Sequence, residues 1–294
     1  MKYTEKYGFS ISTKEIAESI DKITSCVKDK TTEAALKRCF SLMDLTTLHT
    51  EDTVASVRKL VDKVNRLQDS YPDFPLPASV CVYPNFAPVV KSCRRSEALH
   101  VTTVSSCFPT AQSFLEVKVR ECELAVEAGA DEVDIVLSVH DFLAGDEDAA
   151  FAEIAAMKAA IDVAAAGRKV VLKVILETGL LASAENIAEA SFLAMEAGAD
   201  FIKTSTGKVS VNATPAAAYV MCRCIQKFYE ATGRKVGFKA AGGISNAADA
   251  MSYYCIGAAV LGEDWITPEL FRFGVSRLGN SLMGAILQET VSYF

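Results

Sequence analysis

Apolar positions along this chain change their period repeatedly. From about Phe40 onward, short β-branched or apolar runs alternate with longer stretches in which apolar residues recur at helical spacing, as Val54, Val57, Leu60, Val61 and Val64 do. The runs predict strands at 40–45 (FSLMDL), 79–83 (SVCVY), 100–106 (HVTTVSS), 132–138 (EVDIVLS), 170–177 (VVLKVILE), 200–205 (DFIKTS), 236–241 (VGFKAA) and 258–262 (AAVLG). Strands that alternate with helices imply parallel pairing and right-handed crossovers. Eight such units predict a closed (β/α)8 TIM barrel; an open doubly wound sheet satisfies the same alternation and is the alternative. Before the first strand, ISTKEIAESIDKIT predicts a helix with Ser12 or Thr13 near its cap, and TTEAALKR a second short one. So short a piece cannot bury a core of its own. Residues 1–38 are therefore expected to be an N-terminal helical extension, a lid over the barrel's N-terminal end, with 39–294 forming the barrel and a C-terminal tail.

Two internal echoes place charged residues in the barrel. EAGADEVD (127–134) recurs as EAGADFIK (196–203), and GRKVVLK (167–173) recurs as GRKVGFK (233–239). Asp134 and Lys203 thus share one offset on alternate strands, and Lys173 and Lys239 another; alternate strands of a barrel contribute to common layers of inward side chains. Period-two alternation sends Val133, Ile135, Ile202 and Phe238 out toward helices and Asp134, Lys203 and Lys239 inward. The expected interior holds one carboxylate and three lysines. Buried charge is costly, so four ionisable groups need a reason. An architectural ion pair accounts for Asp134 with one lysine, but not for three. The C-terminal ends of the strands are where catalysis is expected in a barrel.

Composition narrows the function classes. The chain has 294 residues, half of them hydrophobic, which excludes wholesale disorder. A formal charge of -7 argues against nucleic acid as the main partner. His49, His100 and His140 are scattered without zinc-ligand spacing, so no metal site and no cofactor are expected. The nine cysteines are odd in number and contain no C-x-x-C pair, which fits reduced thiols in the cytoplasm. The N-terminus lacks the apolar core of a signal peptide, and no uncharged apolar run would span a bilayer. The expectation is a soluble cytoplasmic protein acting on a small molecule, with no nucleic-acid or membrane partner. The oligomeric state is open; a homodimer is compatible with the sequence.

Clustered lysines point to a reaction type. A protonated lysine is no nucleophile, and its reference pKa is about 10.4. A second ammonium and partial burial both lower that value and free the amine to attack a carbonyl. The resulting Schiff base is an electron sink that permits cleavage or formation of the adjacent carbon–carbon bond, while a nearby carboxylate shuttles protons. The constellation fits a metal-free aldolase and does not say which lysine is the nucleophile. Glycines at the last strand ends add an anion site. Gly207-Lys208 follows strand 6, Gly242-Gly243 follows strand 7, and FGVSRL (273–278) reads as the start of a helix after strand 8.

The segments MDLTTL (43–48), CVYP (81–84), ADEVDIV (130–136), LKVILETG (172–179), DFIKTSTGKVSVNATP (200–215) and VGFKAAGGIS (236–245) closely resemble those of the deoxyribose-phosphate aldolases. The resemblance runs from about Phe40 to Leu282. It implies reversible cleavage of 2-deoxy-D-ribose 5-phosphate to acetaldehyde and D-glyceraldehyde 3-phosphate without a metal. It makes Lys203 the Schiff-base lysine, Lys239 the cation that lowers its pKa, Asp134 the proton-relay acid and Lys173 the lysine supporting Asp134. Asp44, Cys81, Thr206, Gly207 and Lys208 would line the substrate pocket, with Gly242, Gly243, Gly274 and Ser276 holding phosphate. Some positions depart from the family pattern. Ser245 stands where bacterial relatives commonly carry arginine, and Arg277 where a second serine is usual; either charge has moved between loops or phosphate binding is weakened. Ala240 replaces a proline, FPTAQ (108–112) lacks a usual glycine, and Tyr293, read as a frayed tail residue, is followed by Phe294 where a relay tyrosine can be terminal. The alternatives are another Schiff-base sugar-phosphate aldolase and an aldolase-like barrel with a protein-interaction role.

Overall fold

The structure is a computed structural model that describes residues 2–294. Strands β1 (Met43–Thr46), β2 (Ser79–Val82), β3 (His100–Val104), β4 (Glu132–Val136), β5 (Val171–Ile175), β6 (Phe201–Lys203), β7 (Gly237–Ala241) and β8 (Phe271–Val275) pair in parallel, in chain order, and β8 closes back onto β1. The chain is a (β/α)8 barrel with helices between its strands.

Seven strands lie where the apolar runs predict them; the eighth does not. Residues 258–262 close the helix Ala247–Leu261, and the last strand is Phe271–Val275. The cause is burial on most sides of that helix. Ala250, Met251, Tyr253, Tyr254, Cys255, Ile256 and Gly257 are all buried, so no amphipathic stripe marks it, and its apolar end imitates a buried strand. The same displacement makes FGV (273–275) strand rather than helix start; the helix begins at Leu278.

Alternation then sorts the side chains. Val133, Ile135, Leu172, Val174, Ile202, Phe238, Phe271 and Phe273 face outward into one core shared with the helices. Around β1–β3 a second core forms from Leu45, Val80, Val82 and Val101 with Val57, Val61 and Val64 of the helix Val54–Ser70. That helix starts on a reciprocal cap in which Thr53 and Ser56 bond each other's backbone.

The N-terminal segment flanks the barrel instead of covering its end. Ser12 caps the helix Thr13–Ser25, as its sequence suggests, and the helix packs against the helices Pro215–Thr232 and Ala247–Leu261. Tyr7 stacks on Phe192 with ring centroids 4.5 Å apart, and the buried Glu189 carboxylate accepts the Thr4 N–H at 2.9 Å. On the helix Thr13–Ser25, Ile16 is buried and Ile20 and Ile23 pack against the core shared with the outer helices. The helix Glu33–Ser41 runs across the 38/39 boundary straight toward β1 and buries Leu36, Cys39 and Phe40. The C-terminal tail is docked, not frayed. Asn280 Oδ1 accepts the Tyr293 and Phe294 N–H groups, and Tyr293 Oη donates to the Lys63 carbonyl at 2.7 Å on the outer helix layer. Tyr293 is thereby committed to the helix Val54–Ser70. Among the described residues, no helix is long and apolar enough to cross a membrane.

Candidate active site

The inward positions of the strands carry more charge than the echoes reveal. Asp44, Glu132 and Asp134 meet Lys173, Lys203, Lys239 and Arg272, all buried. The expectation of one carboxylate and three lysines is corrected: among the described residues three carboxylates face four cations. Strand register brings them together. Asp134 pairs with Lys173 across β4–β5, Lys203 with Lys239 across β6–β7, and Lys239 with Arg272 across β7–β8.

Asp134 is the hub. Its Oδ1 accepts from Lys173 Nζ at 2.9 Å, and its Oδ2 from Lys203 Nζ and Lys239 Nζ, each at 2.8 Å. Burial opposes its ionisation, but the surrounding ammonium groups outweigh this and hold the carboxyl well below the usual range. Lys239 also donates to Asp44, and Lys173 reaches Glu132. Burial works against the charge of both lysines, yet their carboxylate partners win and raise them above the ordinary lysine value. Lys203 is the exception. Asp134 is its one carboxylate partner; burial, joined by the repulsion of Lys239, outweighs that attraction and lowers its pKa. The geometry thus distinguishes among lysines where the sequence pattern alone did not.

Lys203 is also the interior lysine that reaches open space. A cavity of about 350 Å³ at the C-terminal ends of the strands is lined by Lys203, Thr206, Gly207, Lys208, Gly242, Gly243, Gly274 and Ser276. Ser245 and Arg277 line the same cavity, so an arginine stands at the glycine-rich loops. Cys81, Asp44, Asp134, Lys173 and Lys239 lie fully buried. Burial pushes the Cys81 thiol up, and a neighbouring apolar wall packs Cys81, Val104 and Leu48 with Phe108. Val136 and Ile175, the latter in register with Lys203, extend that wall. Of these, Leu48 lines the cavity and the others pack behind it, while glycine-rich polar loops line the opposite part.

Several glycines have steric reasons. Gly242 has φ +84°, and a Cβ there would lie 2.6 Å from Asn212 Oδ1. A Cβ on Gly274 would lie 2.8 Å from Ala241 Cβ and 3.1 Å from Lys239 Cε, so the lysine stem packs where a side chain would stand. Gly274→Ala is expected to lower kcat about tenfold or more, with an overpacking cost of ~1–3 kcal/mol. Steady-state kinetics alongside thermal unfolding checks it; unchanged kcat would show that Lys239 has room.

Two loop residues hold the mouth in other ways. Thr206, expected to touch substrate, donates its hydroxyl and N–H to Glu177, and Lys208 Nζ donates to the Leu48 carbonyl at 2.7 Å. Glu177 is buried at φ 56°, in the left-handed region, and burial raises its pKa despite the Thr206 bonds. The sequence reading missed Glu132, Arg272 and Glu177. Glu132 was detectable, since it lies two residues before Asp134 and shares its face; Arg272 was hidden by the misplaced eighth strand. Glu177 carried no periodic signal.

The sequence profile of the DeoC/LacD family aldolases matches residues 39–281. The chain belongs to that family. A curated relative from Caenorhabditis elegans, provisionally named a deoxyribose-phosphate aldolase, is 40% identical over 278 residues, spanning 94% of this chain and 89% of the relative. Among solved structures, a deoxyribose phosphate aldolase from Aeropyrum pernix superposes with TM-score 0.66 at 23% identity, over 90% of this chain and 96% of that one. A Toxoplasma gondii protein, also provisionally named a deoxyribose-phosphate aldolase, gives TM-score 0.71 at 21% identity, over 87% and 94%. Those two share the fold. The aldolase described here is accordingly a lyase built on a TIM barrel, and its candidate site sits at the catalytic end of that barrel.

Proposed function

We propose that this aldolase reversibly cleaves 2-deoxy-D-ribose 5-phosphate to acetaldehyde and D-glyceraldehyde 3-phosphate through a Schiff base on Lys203. The observation that carries the reading is the pairing of Lys203, the interior lysine with lowered pKa, with the cavity it lines. The neutral amine adds to the substrate aldehyde, and loss of water gives the imine. Removal of the C3 hydroxyl proton lets the C2–C3 bond break; its electron pair moves into the imine as an enamine, and glyceraldehyde 3-phosphate leaves. Protonation of C2 and hydrolysis then release acetaldehyde and restore the amine. Asp134, held by three ammonium groups, is the acid–base group nearest Lys203 and acts on these protons through water or a substrate hydroxyl. The apolar wall suits the two-carbon end of the substrate, and the glycine-rich loops suit its phosphate. The free state of all nine cysteines suits work in the reducing cytoplasm.

The decisive assay supplies 2-deoxy-D-ribose 5-phosphate and follows acetaldehyde release, with ketone donors offered in the reverse direction. Products built only from a ketone would assign another sugar-phosphate aldolase. Arg277 gives a finer test, because it lines the cavity beside Ser276. Arg277→Ser is expected to raise KM for the phosphorylated substrate ~10-fold, the scale of one charge-assisted hydrogen bond in a partly solvated setting. Turnover of unphosphorylated 2-deoxyribose should be unchanged. Equal effects on both substrates would remove Arg277 from phosphate binding.

A further inference from the structure

The charged interior is arranged in two tiers. Above, Asp134 joins Lys203 and Lys239; below, Arg272 donates to Asp44 Oδ1 and, at 2.7 Å, to Glu132 Oε1. Lys173 links them, contacting Asp134, Glu132 and, at 3.7 Å, Asp44. The lower tier is finished by hydrogen bonds: Ser79 donates to Asp44 at 2.8 Å, Thr102 to Glu132 at 2.9 Å, and His100 Nδ1 lies 2.7 Å from Glu132 Oε1. Arg272 and Glu132 are absent from the cavity lining, are 3% and 0% exposed, and, unlike Asp134, make no contact with Lys203.

We propose that Glu132 and Arg272 are positioning residues for the reaction, which set, by charge balance, how readily Lys203 gives up its proton. The inference rests on Lys203 being the Schiff-base lysine. With every strand-borne group ionised, Lys173, Lys203, Lys239 and Arg272 exceed Asp44, Glu132 and Asp134 by one positive charge; Glu177 lies after β5, outside this cluster, with its carboxylate turned to Thr206. A buried cluster is least costly when its charges cancel. Loss of one proton brings the balance to zero, and contact geometry selects where it leaves. Lys173 has carboxylates on three sides and Lys239 on two, whereas Lys203 shares the single Asp134. The other ionisable groups around Lys203 are Cys81 from β2, Glu177 after β5, and Lys239 from β7. Around Glu132 they are Lys173, Arg272, Asp44 and the half-exposed His100.

Charge balance makes predictions of opposite sign that packing alone does not. Arg272→Met leaves three lysines against three carboxylates, a set that is neutral only when Lys203 keeps its proton. Glu132→Gln leaves four cations against two carboxylates and favours proton loss. The readout is the pH midpoint for borohydride trapping of acetaldehyde on Lys203, located by peptide mapping. Arg272→Met is expected to move the midpoint up by about 1 pH unit or more, and Glu132→Gln down by a similar amount. The double variant should return it close to the parent value, and Arg272→Lys should hold it there. If Arg272→Met does not fold, Glu132→Gln and the double variant still decide. Trapping in the parent with an unmoved midpoint in folded Glu132→Gln, or shifts of one sign in all variants, would overturn the charge-balance role and leave the Schiff-base reading intact. A parent that traps nothing on Lys203 at any pH would overturn both.

Discussion

Borohydride added to this aldolase in the presence of acetaldehyde is expected to fix a stable ethyl group on Lys203 and abolish activity. Lys203 is the interior lysine that borders the cavity, and it is the one whose neighbours do not restore its proton affinity against burial. Lys173 and Lys239 are fully buried and sit among carboxylates that keep them charged and unreactive. Lys203→Met should reduce kcat by ~10⁴-fold or more, as removal of a covalent nucleophile typically does. The fold should survive, because a neutral side chain removes one of three cations around Asp134 and leaves no carboxylate without a partner. Mass spectrometry of the trapped peptide reads the outcome directly. Label on a surface lysine alone, in enzyme that remains active, would refute the mechanism.

Lys239→Met carries the second large effect, and its signature is a pH profile. Lys239 repels the protonated form of Lys203 and also neutralises Asp134 and Asp44. Without it the ammonium of Lys203 loses a repulsive neighbour, and Asp134 binds Lys203 more strongly. Both changes raise the Lys203 pKa. The fraction of neutral amine then falls at neutral pH and returns as pH rises. A shift of about 2 units corresponds to ~100-fold less free amine at a pH on the acid limb. Activity should fall by at least that factor near neutrality and recover in part in alkaline buffer. Lys239→Arg keeps the charge and should retain more activity, within the limits of its wider planar head. A phosphate contact would instead raise KM and leave imine formation with acetaldehyde unaltered. The zero exposure of Lys239, beneath the cavity floor, stands against that role. An unchanged pH–rate profile in folded Lys239→Met would end the electrostatic account.

Legibility in the sequence followed the range of the interactions. Strands β1 to β7 are short apolar runs whose two-residue alternation is local, so Asp134, Lys203 and Lys239 could be turned inward without any tertiary information. The third dimension was needed wherever partners are far apart in the chain. Lys239 meets Asp44 across 195 residues, and Arg272 meets Glu132 across 140. A helix as thoroughly buried as Ala247–Leu261 erases its own amphipathic signal, and the error it caused in placing β8 concealed Arg272 altogether. The Tyr293 tail illustrates a different limit. Its anchors are a backbone carbonyl at Lys63 and one amide side chain at Asn280, neither of which leaves a pattern in composition or period.

The separation along the chain of the apolar set beside Leu48 from the glycine-rich loops has a consequence for how new specificities arise. Cys81, Val104, Val136 and Ile175 belong to β2–β5, whereas Gly207, Gly242, Gly243, Ser276 and Arg277 follow β6, β7 and β8. In the proposed reaction, the donor and acceptor ends of the substrate would be governed by separate stretches of chain, before and after residue 200. Enlarging the apolar set to admit a longer aldehyde would leave the glycine-rich loops untouched, and trimming Arg277 to favour uncharged acceptors would leave the apolar set as it was. Gene shuffling with a crossover near that residue would exchange one preference at a time. The lysine tether from Lys208 to Leu48 marks where such halves must still match.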